Sequence, residues 1–228
     1  MQYVISNKIN TKNTMSPSQN IPNILEAEKF LESICRKRSI AIVGSGPLIH
    51  NAGKEIDDHD IVFRINHFDL KSRPIDTGQR ISCWVHNGHL GTTTLKINSI
   101  PHIVTKHYGG PLLAEFNIMY THHELDRMYF FQKTTIETLN NQVNTKSLTT
   151  GGRILLFLLN MTSQVSKISV FGFTFYDKSK SIYEFHNPTF TSKRKKIENA
   201  FKWHNPSIEK RYFLNFKCPK LNLRLVDI

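Results

Sequence analysis

Between Asn23 and Arg38 the apolar positions Ile24, Leu25, Ala27, Phe30, Leu31 and Ile34 recur three and four residues apart. That spacing predicts an amphipathic helix, closed by the basic Arg36-Lys37-Arg38. Ser39 to Val43 (SIAIV) is a short β-branched run that reads as a buried strand. Runs at Ile61–Ile65, Ile81–Val85 and Ile103–Lys106 predict three further strands. From 107 to 148 the periodicity is weak and assigns no element. Arg153 to Thr162 is apolar nearly all round, the pattern of a helix packed on both sides. A strand at Ile168–Phe171, helices at Ser192–Lys202 and Pro206–Asn215, and a last strand at Leu221–Val226 complete the pattern. Strands alternating with helices predict an α/β fold, a Rossmann-like, mostly parallel sheet flanked by helices. Residues 1–22, rich in Asn, Ser, Thr and Lys, read as a flexible arm ahead of a single domain over 23–228.

Charge narrows the partners. Lys and Arg number 30 against 18 Asp and Glu, a formal charge of +12 that favours anionic ligands such as nucleotides, acidic lipids or nucleic acid. The basic run Lys193-Arg194-Lys195-Lys196 suits a solvated helix face or peripheral contact with an anionic membrane. Nucleic acid is not the expected partner, since no aromatic and basic interleaving of a reading surface is evident. Cys35, Cys83 and Cys218 are odd in number and widely spaced, which predicts free thiols and a cytoplasmic setting. The longest apolar run, Ile154–Leu159, is too short to span a bilayer.

The candidate chemistry begins where the first strand runs into Gly44-Ser45-Gly46-Pro47. Glycines there permit close backbone approach, and free N–H groups could hold a phosphate or ribose oxygen. Arg64 and Asn66 end the second strand, at the carboxyl edge where open α/β sheets bind ligands. The dinucleotide fingerprint is incomplete, because its third glycine would fall on Ile49. An NAD-dependent oxidoreductase stays open as the poorer alternative. Thr149-Thr150-Gly151-Gly152 opens a helix, where hydroxyls and unpaired N–H groups make an anion site or a plain N-cap. Near the end, His204 precedes Glu209 in the spacing HxxxxE.

The 28 residues from Ser39 to Asn66, with Gly44 to Gly46, Gly53 to Asp57, His59-Asp60 and Arg64-x-Asn66, resemble the large motif of the eukaryotic-type sialyltransferase family. Thr149 to Gly152 followed by Val170-Phe171-Gly172-Phe173 is similar to that family's small motif, and His204 with Glu209 to its short C-terminal motif. The family often has Asn where this chain has Ser45. The resemblance implies the sialyltransferase-like glycosyltransferase fold and an inverting transfer of sialic acid from CMP-sialic acid to a glycan or glycolipid hydroxyl. It implies His204 as general base, with Glu209 orienting it or shaping the pocket. The donor would be held by Gly44, Ser45, Gly46, Asn66 and Thr149 to Gly152. A His- or Tyr-rich patch of the family matches Tyr183 or His186 without deciding between them. Another CMP-linked acidic ketose such as Kdo would fit the same motifs. Asp58-His59-Asp60 reads as part of the large motif, so neither metal nor cofactor is expected. The family's disulfide has no counterpart here, because the matching strand start is Ile40.

Overall fold

A computed structural model describes residues 25–68, 70–71, 73–88, 99–107, 125–176 and 201–225. Eight strands form one sheet in the order β1-β6-β5-β4-β3-β2-β7-β8, with every pairing parallel. They are β1 (Leu25–Glu26), β2 (Ser39–Val43), β3 (Ile61–Ile65), β4 (Cys83–His86), β5 (His102–Val104), β6 (Met128–Phe130), β7 (Lys167–Phe171) and β8 (Leu221–Arg224). The principal helices are α1 (Ala27–Cys35), α2 (Gly53–Asp57), α3 (Pro74–Thr77), α4 (Lys133–Val143), α5 (Thr150–Asn160) and α6 (Pro206–Asn215). From β2 the chain adds β3, β4, β5 and β6 on one side, then returns to place β7 on the other. That reversal between β2 and β7 leaves a crevice at the carboxyl ends of these strands, where ligands bind in folds of this kind.

The central strands are buried on both faces, which explains their unbroken apolar runs. Ile40 and Ile42 face the large core with Leu31, Phe63, Val85, Val170 and Phe213. Ala41 and Val43 face a smaller cluster with Ala52, Ile56, Val62 and Phe171. In α5 every residue from Thr150 to Leu159 is buried, as its all-round apolar pattern requires.

Three expectations need adjusting. The first helix starts at Ala27, because Leu25 and Glu26 pair with Tyr129 and Phe130 as an edge strand. Weak periodicity between 107 and 148 conceals β6 and α4, and α4 buries only Leu139 and Val143. Arg64 does not reach the ligand edge of the sheet. It lies inside, 1% exposed, donating to the carbonyls of Thr77 at 2.6 Å and Arg80 at 3.0 Å. The N-terminal arm, the run Lys193–Lys196 and most of the helix expected from Ser192 lie outside the described residues. Among the described residues no helix is long and apolar enough to cross a membrane. Cys35 and Cys83 are free and buried, while Cys218 is free and half-buried.

Candidate active site

The crevice at the switch point is an open cleft. Gly44, Ser45, Gly46 and Asn66 line it from β2 and β3, and Gly172 to Tyr176 from the end of β7. Thr149, Thr150 and Gly151 line it from the start of α5, and Pro206 and Glu209 from α6. Of the expected donor-binding residues that are described, only Gly152 is not on its walls. Gly152 sits one residue deeper in α5, and Tyr183, like His186, lies outside the described residues.

The glycine turn does not do what its sequence suggests. The Gly44 N–H donates to the Phe171 carbonyl at 2.8 Å, and the Gly46 N–H to the Gly172 carbonyl at 2.9 Å. Neither is free for a phosphate. The glycines are needed because two turns interlock. A Cβ at Gly44 would stand 2.5 Å from the Gly172 oxygen, and one at Gly46 2.7 Å from it. Gly172 itself has φ +65. The Ser45 hydroxyl is left as the polar side chain of the β2 turn.

Asn66 follows β3 with φ 53, a left-handed conformation that Asn tolerates better than most residues. Its N–H donates to the Val85 carbonyl at 2.8 Å, and its carbonyl accepts from the Trp84 indole at 2.7 Å. The side-chain oxygen is buried and meets no donor among the described residues. A bound hydroxyl or amino group would satisfy it.

Across the cleft, Thr149 is the N-cap of α5 and its Oγ accepts from the Gly152 N–H at 3.0 Å. The first bond of the helical ladder runs from the Arg153 N–H to the Thr149 carbonyl. The N–H groups of Thr150 and Gly151 precede that ladder, on the electropositive end of the helix. Glu209, 1% exposed, accepts from the Thr149 N–H at 2.8 Å and from its Oγ–H at 2.7 Å. Burial pushes its carboxyl up to about 7, against the pull of the Thr149 bonds and of Arg153. Gly152 leaves room for this carboxylate, since a Cβ there would fall 2.2 Å from it.

Glu209 therefore lines the cleft, with its hydrogen bonds among the described residues going to Thr149. The His204 ring is half-buried, and its Nδ1–H donates to the Ser147 carbonyl at 3.1 Å. Burial holds its pKa below the ordinary imidazole value, and the charges of Arg153 and Lys106 add to this. It stands two residues before Pro206 of the cleft wall. A neutral imidazole with Nδ1 committed has Nε2 as its proton-accepting nitrogen.

The residues of Asp58-His59-Asp60 are engaged elsewhere. Asp58 pairs with Lys54 at 2.6 Å, and Asp60 accepts from the Ser39 N–H and hydroxyl at 2.8 Å. His59 donates to the Glu55 carbonyl at 2.7 Å and accepts from the Ser169 hydroxyl at 2.9 Å. Among the described residues no group of three His, Cys, Asp or Glu side chains could hold a metal ion.

Sequence reasoning missed the wall from Thr174 to Tyr176, which begins one residue past the small motif. It also missed Arg153, although a cation in the first turn of an apolar helix opposes the helix dipole and demands a partner.

The model of glycosyltransferase family 29 (sialyltransferase) matches residues 2–107. No curated protein matches the sequence. A mammalian sialyltransferase structure shares the fold at 14% identity and a TM-score of 0.54, covering 82% of this chain and 68% of that one. A mammalian sialyltransferase in complex with Gal-beta-1-3GalNAc-ortho-nitrophenol aligns at 14% identity and a TM-score of 0.57, over 89% and 74% of the two chains. The first part of the chain is thus similar to the sialyltransferase family, and the chain shares the fold of sialyltransferase structures.

Proposed function

We propose that this protein is a glycosyltransferase that moves sialic acid from CMP-sialic acid to a hydroxyl of a glycan or glycolipid acceptor, by a single inverting displacement. The observation that carries the reading is the cleft itself. It brings the glycine turn, Asn66 and the start of α5 together at the switch point of a parallel sheet. CMP carries one phosphate, a charge that a helix N-terminus with N–H groups ahead of its ladder can face. Negative charge grows on that phosphate as the bond to the sugar breaks, so donors already in place at Thr150 and Gly151 favour the transition state over the ground state. The Ser45 hydroxyl and the unsatisfied Asn66 amide oxygen suit the polar groups of the nucleoside.

His204 takes the acceptor proton on Nε2 as the new glycosidic bond forms. Its depressed pKa keeps it neutral at physiological pH, the form a base requires. The mammalian sialyltransferase with Gal-beta-1-3GalNAc-ortho-nitrophenol holds a sugar acceptor on the same fold, which supports a glycan as acceptor here. No step needs a metal ion or an organic cofactor.

The test is thermal unfolding in EDTA with millimolar CMP, AMP, UMP or NAD, followed by transfer from CMP-sialic acid and CMP-Kdo. CMP at about a hundred times its dissociation constant raises stability by ~2.7 kcal/mol. A rise with CMP but not with AMP, UMP or NAD, and turnover of CMP-sialic acid, is the expected result. Turnover of CMP-Kdo alone would replace the sugar and keep the site. Indifference to CMP would overturn the reading.

A further inference from the structure

Arg153 is the one charged residue of α5, and it is only 6% exposed. It sits in the first turn, where the helix dipole disfavours a cation. Burial lowers its pKa to about 10, so it is still charged at neutral pH. The charge of Glu209 offsets part of that cost, and backbone oxygens take the guanidinium N–H groups. One Nη–H donates to the carbonyl of Thr105, just past the end of β5. The other donates to the Leu148 carbonyl at 3.3 Å and reaches the Ser147 hydroxyl at 3.4 Å. Arg153 thus ties β5 and α5 to the two residues that precede the Thr149 cap. Ser147 is also the residue whose carbonyl accepts the His204 Nδ1–H at 3.1 Å.

We propose that Arg153 is a positioning residue for His204: by clamping Ser147 and Leu148 it fixes the carbonyl that holds the imidazole Nδ1–H, and so keeps Nε2 as the nitrogen that accepts the proton. The inference rests on the reading of His204 as the base. The fork geometry matters, because a guanidinium reaches two segments at once where an ammonium is a single point of charge. The charge matters separately. Among the described residues, Arg153 and Lys106 are the charged groups acting on His204, and both oppose its protonation, whereas the Ser147 carbonyl favours it. An arginine that merely stabilised the start of α5 would change the melting temperature and leave the imidazole as it is.

The experiment is nitrogen-15 NMR of histidine-labelled full-length protein, with His204 identified among the 11 histidines by its loss in H204Q. In the wild type the Nδ1–H tautomer should dominate. In Arg153→Met the other tautomer should appear and the His204 pKa should rise. The value of kcat should fall by about 100-fold, the usual cost of a misplaced catalytic group, while the KM for the donor and the CMP-induced rise in Tm hold. Arg153→Lys keeps the charge without the fork, so the tautomers should mix while the pKa stays low. A wild-type tautomer in Arg153→Met, or in Arg153→Lys if the methionine variant does not fold, overturns the proposal. Full activity of H204Q would instead remove the base assignment, and the tautomer measurement would still decide whether Arg153 is the clamp.

Discussion

The two walls of the cleft are built by different physics. On the β2 and β7 side, the Gly44 and Gly46 N–H groups are spent on the Phe171 and Gly172 carbonyls, and the glycines serve to let two turns touch. On the α5 and α6 side, the Thr150 and Gly151 N–H groups precede the helical ladder, beside a buried carboxyl and a half-buried imidazole. One wall sets shape and the other sets potential. Glycine-rich turns after a strand are usually read as phosphate cradles. Here the glycine N–H groups are already bonded, and the N–H groups ahead of a helical ladder stand on the opposite wall.

If chemistry belongs to the second wall, the largest effect should come from His204→Ala. Removing a positioned general base costs ~10²–10⁴ in turnover, and CMP binding should survive because His204 does not line the donor cleft. The acid limb of the wild-type rate profile should lie below the ordinary imidazole range, since burial and two cations hold the His204 pKa down. Steady-state kinetics with CMP binding in parallel separates the two walls. Unchanged turnover would place the base elsewhere.

Glu209 gives the next largest effect, and it appears in stability. Its pKa is raised from 4.5 to about 7 in the folded state. Between those values the folded protein holds a proton that the unfolded chain has lost. The stability is therefore complete below pH 4.5 and falls as pH rises towards 7, by about 3 kcal/mol in all. Glu209→Gln is neutral in both states and lacks that slope. Urea unfolding of both proteins across this range should show the variant gaining on the wild type as pH rises. A constant difference would mean that the Thr149 bonds, not burial, control the carboxyl.

Gly44→Ala probes the first wall. Its Cβ would meet the Gly172 oxygen at 2.5 Å, and backbone on both sides cannot yield as a side chain would. Overpacking of this kind costs about 1–3 kcal/mol, and the interlocked turns should separate, weakening CMP binding together with stability. Retained Tm with lost CMP affinity would show instead that the turn contacts the nucleotide directly.

Much of this was legible in the chain. β2, β3 and β7 declare themselves because both faces are buried, so beyond the leading Ser39 and Lys167 no polar residue enters the run except Arg64 and Ser169, each bonded internally. The bounds of α6 follow from Asn205 as cap and Pro206 in the first turn. What was hidden depends on contacts between distant segments. β1 is a strand only because Leu25 and Glu26 lie beside β6. The partners of Gly44 and Gly46 come from β7, and the link from Arg153 through Ser147 to His204 joins residues that no spacing rule connects. Motif resemblance picked out Gly44 to Gly46, Asn66, Thr149 to Gly151 and Glu209 of the cleft but not Thr174 to Tyr176, and the division of labour between its walls depends on contacts between distant segments.

The smallest effect tests whether the first wall is shape alone. With its two glycine N–H groups committed, Ser45 carries the one polar side chain of Gly44-Ser45-Gly46-Pro47, and Ser45 lines the cleft. One hydrogen bond to the nucleotide contributes about 1 kcal/mol, so Ser45→Ala should weaken CMP about fivefold and leave Tm unchanged in the absence of ligand. Ser45→Asn adds an N–H donor where the resembling family often has Asn, and it should recover or exceed the wild-type affinity. Calorimetric titration with CMP distinguishes the outcomes. If alanine, serine and asparagine bind CMP alike, the Ser45 side chain makes no polar contact with the nucleotide, and among the described residues donor recognition shifts to Asn66 and the start of α5.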